Sequence, residues 1–82
     1  LNRENDHDGS GIRIYPVPAS QRIILEGFPA GSRIFIYNLL GVKVQMLVAE
    51  QSKTVIDLSG LKAGYYSIRS DTGAGRVWFL KL

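Results

Sequence analysis

Apolar and polar residues alternate along most of this chain in short runs separated by turn residues. The period is two, so successive side chains fall on opposite faces of an extended backbone. Seven such runs are predicted as strands: Ile12 to Tyr15, Arg22 to Glu26, Arg33 to Asn38, Val42 to Val48, Lys53 to Asp57, Tyr65 to Ser70 and Arg76 to Leu82. No segment shows helical periodicity, and many short strands at even spacing imply a sandwich or small barrel. In the third run Ile34 and Ile36 share a face, opposed by Arg33, Phe35 and Tyr37. In the fourth, Val42, Val44, Met46 and Val48 share a side against Lys43, Gln45 and Leu47, so the valines and methionine are expected in the core. The seventh run is different. Val77, Trp78, Phe79, Leu80 and Leu82 leave almost no polar face, so the strand is either central and covered on both sides or offers an aromatic patch to a partner.

The punctuation between runs follows from local chemistry. Pro16 and Pro18 remove two backbone donors and stop the first strand. Gly41, after Leu39 and Leu40, suits a reversal that needs positive φ, which makes the third and fourth runs a hairpin. Asp57 and Ser59 flank Leu58 ahead of Gly60, and their side chains are expected to bond nearby amides and hold a turn. Lys62-Ala63-Gly64 then leads into Tyr66 and Ile68, and Gly73-Ala74-Gly75 reads as another turn. Residues 2–11 carry Asn, Asp, Ser and Gly without apolar periodicity. Residues 1–11 therefore read as a flexible linker and residues 12–82 as one folded domain.

Eighty-two residues suffice for one domain with a thin core. At 45% hydrophobic and 21% charged residues the composition is globular. Opening on Leu1 rather than Met, the chain reads as a piece of a longer protein. It has no cysteine, which excludes disulfides, thiolate metal sites and a cysteine nucleophile. The net charge of +3 is unevenly spread. The first eleven residues hold one base against three acids, a net of −2, while the remainder holds nine bases against four acids, a net of +5. Those bases are spaced singly, without the clustering that nucleic-acid binding rewards, and they serve to keep strand surfaces soluble.

Catalytic chemistry finds little to stand on. The single histidine, His7, lies in the linker, where no scaffold preorganises it. Glu26, Glu50, Asp57 and Asp71 are dispersed over different turns and strand ends. Asp6-His7-Asp8-Gly9 has the start of a calcium loop, but aligning it to an EF-hand puts Tyr15 where the bidentate Glu belongs. No enzyme activity, metal or cofactor is expected.

Taken in order, four segments resemble the C-terminal sorting domains, type A, of cargo for the type IX (Por) secretion system of Bacteroidetes. They are Ile14-Tyr15-Pro16-Val17-Pro18-Ala19-Ser20, Ile34 to Gly41, Ile56 to Tyr66, and a terminal apolar strand closing on Lys81-Leu82. Val17 departs from the family pattern, which usually has Asn between the prolines. The resemblance implies an immunoglobulin-like antiparallel β-sandwich without catalytic residues. It also implies export to the periplasm, recognition by an outer-membrane translocon with its shuttle component, and removal by a cell-surface sortase that joins the cargo to anionic lipopolysaccharide. The residues expected to carry recognition are Pro16, Pro18, Gly41, Asp57, Leu58, Gly64, Tyr66, Val77, Phe79, Leu80, Lys81 and Leu82, with the processing site in or beside residues 1–11. Self-association through an edge strand is a further expected contact, restrained at the last strand by Lys81. Two other function classes fit the same chain: an adhesive or carbohydrate-binding sandwich stacking ligands on Phe35, Tyr37 and Trp78, and a structural spacer. Position in the parent separates them, because a sorting module must end it.

Overall fold

A computed structural model describes residues 12–50, 53–71 and 76–82. The expected linker over residues 1–11, the calcium-loop fragment within it and the turn at 73–75 lie outside these. Seven strands run in chain order: β1 (Arg13–Tyr15), β2 (Arg22–Glu26), β3 (Arg33–Asn38), β4 (Lys43–Val48), β5 (Lys53–Asp57), β6 (Gly64–Ser70) and β7 (Arg76–Lys81). They form two antiparallel sheets, β1-β2-β5 and β4-β3-β6-β7, which face each other as an immunoglobulin-like sandwich.

Alternation places the core. Ile14, Ile23, Leu25 and Ile56 from the three-stranded sheet meet Ile34, Ile36, Tyr66, Ile68, Val77 and Phe79 from the four-stranded one. Ile12, Ala19, Phe28, Ala49 and Leu58 close the ends, and Leu47 and Leu61 pack against the rim. Burying an aliphatic or aromatic side chain of this size stabilises by about 1.5–3 kcal/mol, so a small cluster of this kind carries the fold.

Two expectations about faces are corrected. On β4 the outward side chains are Val44, Met46 and Val48, Met46 being 57% exposed, and Val42 in the preceding turn is exposed too. Leu47 turns inward instead. Pairing decides this: Ile34 lies opposite Leu47 and Phe35 opposite Met46, so Leu47 must share the face of buried Ile34. The Gly41 hairpin and a register shift between Ile36 and Tyr37 set that pairing, and a slip of one residue exchanges the faces of a strand. Counting apolar residues per face misreads an edge strand, whose outer face is not obliged to be polar. The second correction concerns β7, which is an edge strand and not a central one. Val77 and Phe79 enter the core while Trp78 remains 44% exposed, so the strand is covered on one face and not on both.

Candidate recognition site

The residues singled out from sequence, scattered over sixty-odd positions, mostly gather at one end of the sandwich. Strand directions explain why. Arg22 pairs with Asp57 in the first sheet, and Asn38 pairs with Tyr66 and Gly64 with Lys81 in the second. The Pro16–Gln21 crossing, the Gly41 turn, the Asp57–Gly64 corner and the end of β7 thus share a pole. Val77 lies farther along β7, and β1 enters from the opposite pole.

Each segment at this pole is held by its own chemistry. β1 ends at Tyr15, and the chain then crosses to the other sheet, where Ala19 forms a parallel bridge with Lys81. The Ala19 amide donates to the Leu80 carbonyl at 2.8 Å, and the Leu82 amide donates to the Ala19 carbonyl at 2.8 Å. Buried Ala19 therefore clamps the end of β7, while Pro16 and Pro18 stay exposed on either side of Val17. At the β3–β4 turn the Asn38 side chain accepts from the amides of Leu40 at 2.9 Å and Val42 at 3.0 Å. Gly41 there has φ +84°, the left-handed region that costs other residues roughly 1 kcal/mol or more.

The Asp57–Tyr66 corner is held in three places. Asp57 Oδ1 accepts from the Ser59 amide at 2.9 Å, as expected of that turn. The amide and hydroxyl of Ser59, together with nearby Arg22, hold the Asp57 carboxyl below its ordinary range. Next, the buried Leu58 donates its amide to the Gln21 carbonyl at 2.8 Å, tying this corner to the proline crossing. Finally the Tyr66 hydroxyl donates to the Lys62 carbonyl at 2.6 Å, four residues upstream, and its ring stacks on Phe79 at 5.7 Å. This is a tyrosine corner of the kind immunoglobulin-like sandwiches use where the chain passes between sheets. Sequence analysis marked Tyr66 but missed the bond; the signal was Leu61-Lys62-Ala63-Gly64-Tyr65-Tyr66, which spaces the hydroxyl four residues beyond its acceptor.

Edges matter for recognition because an edge offers unpaired backbone groups. Among the described residues, the outward edge of β7 is clamped only at its end. Leu80 O and Leu82 N point outward to Ala19, and by alternation the outward amides and carbonyls of Arg76 and Trp78 lie on the same edge. The side chain of Lys81 folds back, its ammonium donating to the Leu82 carbonyl at 3.1 Å. β4 forms the other edge of this sheet, with its exposed apolar row.

The aromatic side chains proposed as stacking platforms stand on the outer face of the four-stranded sheet. A cation lies over each ring: Lys43 Nζ is 5.0 Å from the Phe35 centroid, Arg69 Cζ 5.9 Å from Tyr37, and Arg76 Cζ 6.0 Å from Trp78. On the outer face of the other sheet Glu26 gathers the Tyr15 hydroxyl as hydrogen-bond donor, Arg13 at 3.9 Å and Lys53 at 3.7 Å. Among the described residues no three histidines, cysteines or carboxylates come together as metal ligands do.

A family model described as "Secretion system C-terminal sorting domain" matches residues 13–81, nearly the whole chain. Neither a curated protein nor a solved structure matches the chain significantly.

Proposed function

The chain belongs to the family of secretion system C-terminal sorting domains, a non-catalytic export and sorting signal, and from that membership we propose how the address is read. Membership places the domain outside the cytoplasm, at the cell surface after secretion. In our reading the signal is the pole where Pro16, Pro18, Gly41, Asp57, Leu58, Gly64 and Tyr66 surround the end of β7. The observation that carries it is the half-clamped edge of β7. Its last residues are held by Ala19, while the outward backbone of Arg76 and Trp78 is left for an added strand.

The type IX outer-membrane translocon and its shuttle component supply that strand or a surface beside it while the cargo is in the periplasm. β1 enters from the far pole. A cell-surface sortase then cuts within or beside residues 1–11, ahead of the first strand in the chain, and transfers the cargo to anionic lipopolysaccharide. Cleavage is tested by sequencing the N-terminus of the released module; a cut after Ile12 overturns that site.

The experiment for the address fuses the domain to a reporter and trims it from Leu82 inward, or replaces Lys81 and Leu82. Melting temperature and surface delivery are followed together, because losing Val77 or Phe79 would also remove ~1.5–3 kcal/mol each from a thin core. Variants that keep their melting temperature but accumulate in the periplasm support direct reading of β7. Delivery that falls only in step with stability refutes it.

A further inference from the structure

On the outer face of the four-stranded sheet, Arg69 and Arg76 are direct cross-strand partners. Like charges placed opposite one another across a sheet destabilise it. No described acid forms an ion pair with either: the two ion pairs of the described residues both belong to Glu26. Asp71, the acid closest in sequence, accepts instead from the Arg33 amide at 3.1 Å. An arginine pair left uncompensated among the described residues is a cost unless an anion offsets it.

The adjacent row of the sheet is Tyr37, Ser67 and Trp78, in register across β3, β6 and β7. Both guanidinium groups lean toward this row, Arg69 over Tyr37 and Arg76 over Trp78. Between the two rings sits Ser67. Its neighbours Tyr66 and Ile68 point into the core, so its own side chain points to the outer face, yet it is only 4% exposed. Its hydroxyl makes no hydrogen bond among the described residues. A buried hydroxyl with nothing to replace the water it lost is destabilising. These five residues and the Asn38–Gly41 turn line one cleft of about 320 Å³.

From the cleft, the arginine pair and the unpartnered hydroxyl, we infer that this face binds a tetrahedral oxyanion of the phosphate class. The two guanidiniums offer paired donors that match its oxygens. Ser67 supplies a third donor from the floor, and a third donor suits a tetrahedral anion better than a carboxylate with two oxygens. Tyr37 and Trp78 hold the arginines over the cleft and provide apolar walls for whatever carries the anion. This site adjoins the β7 edge invoked for sorting and shares Arg76 and Trp78 with it, but it uses their side chains rather than their backbone, and its test requires no export.

Trp78 is the only tryptophan, so its fluorescence reports on the site directly. The full chain is titrated with inorganic phosphate against sodium chloride of matched ionic strength, and melting temperature is recorded alongside. The expected result is a saturable fluorescence change and a phosphate-specific rise in melting temperature, as binding to the folded state requires. Arg69→Gln and Arg76→Gln should each abolish that rise. Ser67→Ala should weaken phosphate binding severalfold without lowering the ligand-free melting temperature. The inference is overturned if phosphate and chloride act alike on the parent chain, or if either arginine variant keeps the phosphate response. It also fails if Ser67→Ala lowers ligand-free stability and leaves phosphate affinity unchanged. Acetate matching phosphate would overturn the tetrahedral assignment.

Discussion

Tyr66→Phe isolates the corner bond, because it removes one oxygen and leaves the ring in place. The ring is buried and stacks on Phe79 at 5.7 Å, contacts that phenylalanine keeps. What is lost is the 2.6 Å bond to the Lys62 carbonyl. A hydrogen bond of this kind contributes about 0.5–1.5 kcal/mol net, since its partners would otherwise bond to water. In a domain of this size 1 kcal/mol moves the melting temperature by about 4–8 °C. Tyr66→Phe should therefore melt several degrees below the parent, with an unchanged dependence on denaturant concentration, because no surface newly opens. Tyr66→Ala removes the ring as well and should cost about 3–5 kcal/mol, enough to unfold a marginal domain. Thermal and urea unfolding by circular dichroism measure both. If Tyr66→Phe melts with the parent, the corner bond holds nothing; if it costs as much as Tyr66→Ala, the ring is misassigned.

Three other outcomes follow from the same geometry. Asn38→Ala deprives the amides of Leu40 and Val42 of their acceptor and should cost about 1–2 kcal/mol in urea unfolding, while Asn38→Asp should restore most of it. Glu26 is held below its ordinary range by the Tyr15 hydroxyl, with Lys53 and Arg13 adding to it. Its contribution is thus present above the unfolded carboxylate pKa and lost as pH falls through the folded one; Glu26→Gln should flatten that acid limb of stability against pH. Tyr15, raised chiefly by its bond to Glu26, contributes the opposite limb, present below the unfolded phenol pKa and lost as pH rises through the folded one. Finally, self-association should run through β4, whose exposed Val44, Met46 and Val48 form its outer row; Met46→Lys should reduce sedimentation-detected association at high concentration, whereas Val55→Lys on the other sheet should not.

How legible the chain was depends on how local each cause is. The period-two runs gave all seven strands within a residue at each end, because burial of one face imposes alternation on any strand at a sandwich surface. Turns were legible for the same reason: positive φ at Gly41, the Asp57 side chain reaching the Ser59 amide, and prolines ending β1 are events within a few residues. The ordered motifs were enough to place the chain in its family.

Which face of β4 is buried depended on its register with β3, a pairing that local pattern cannot supply when both faces carry apolar residues. The edge position of β7 is a property of sheet order, and its clamp joins Ala19 to residues some sixty positions away. Arg69 and Arg76 looked like isolated solubilising charges in sequence, and only antiparallel pairing set them opposite each other above Ser67. Sequence by itself determined the strands, the turns and the family, since those rest on contacts between near neighbours. Tertiary structure alone decided which edges are open and which side chains meet, because those follow from strand order and register, where residues distant in the chain are brought together.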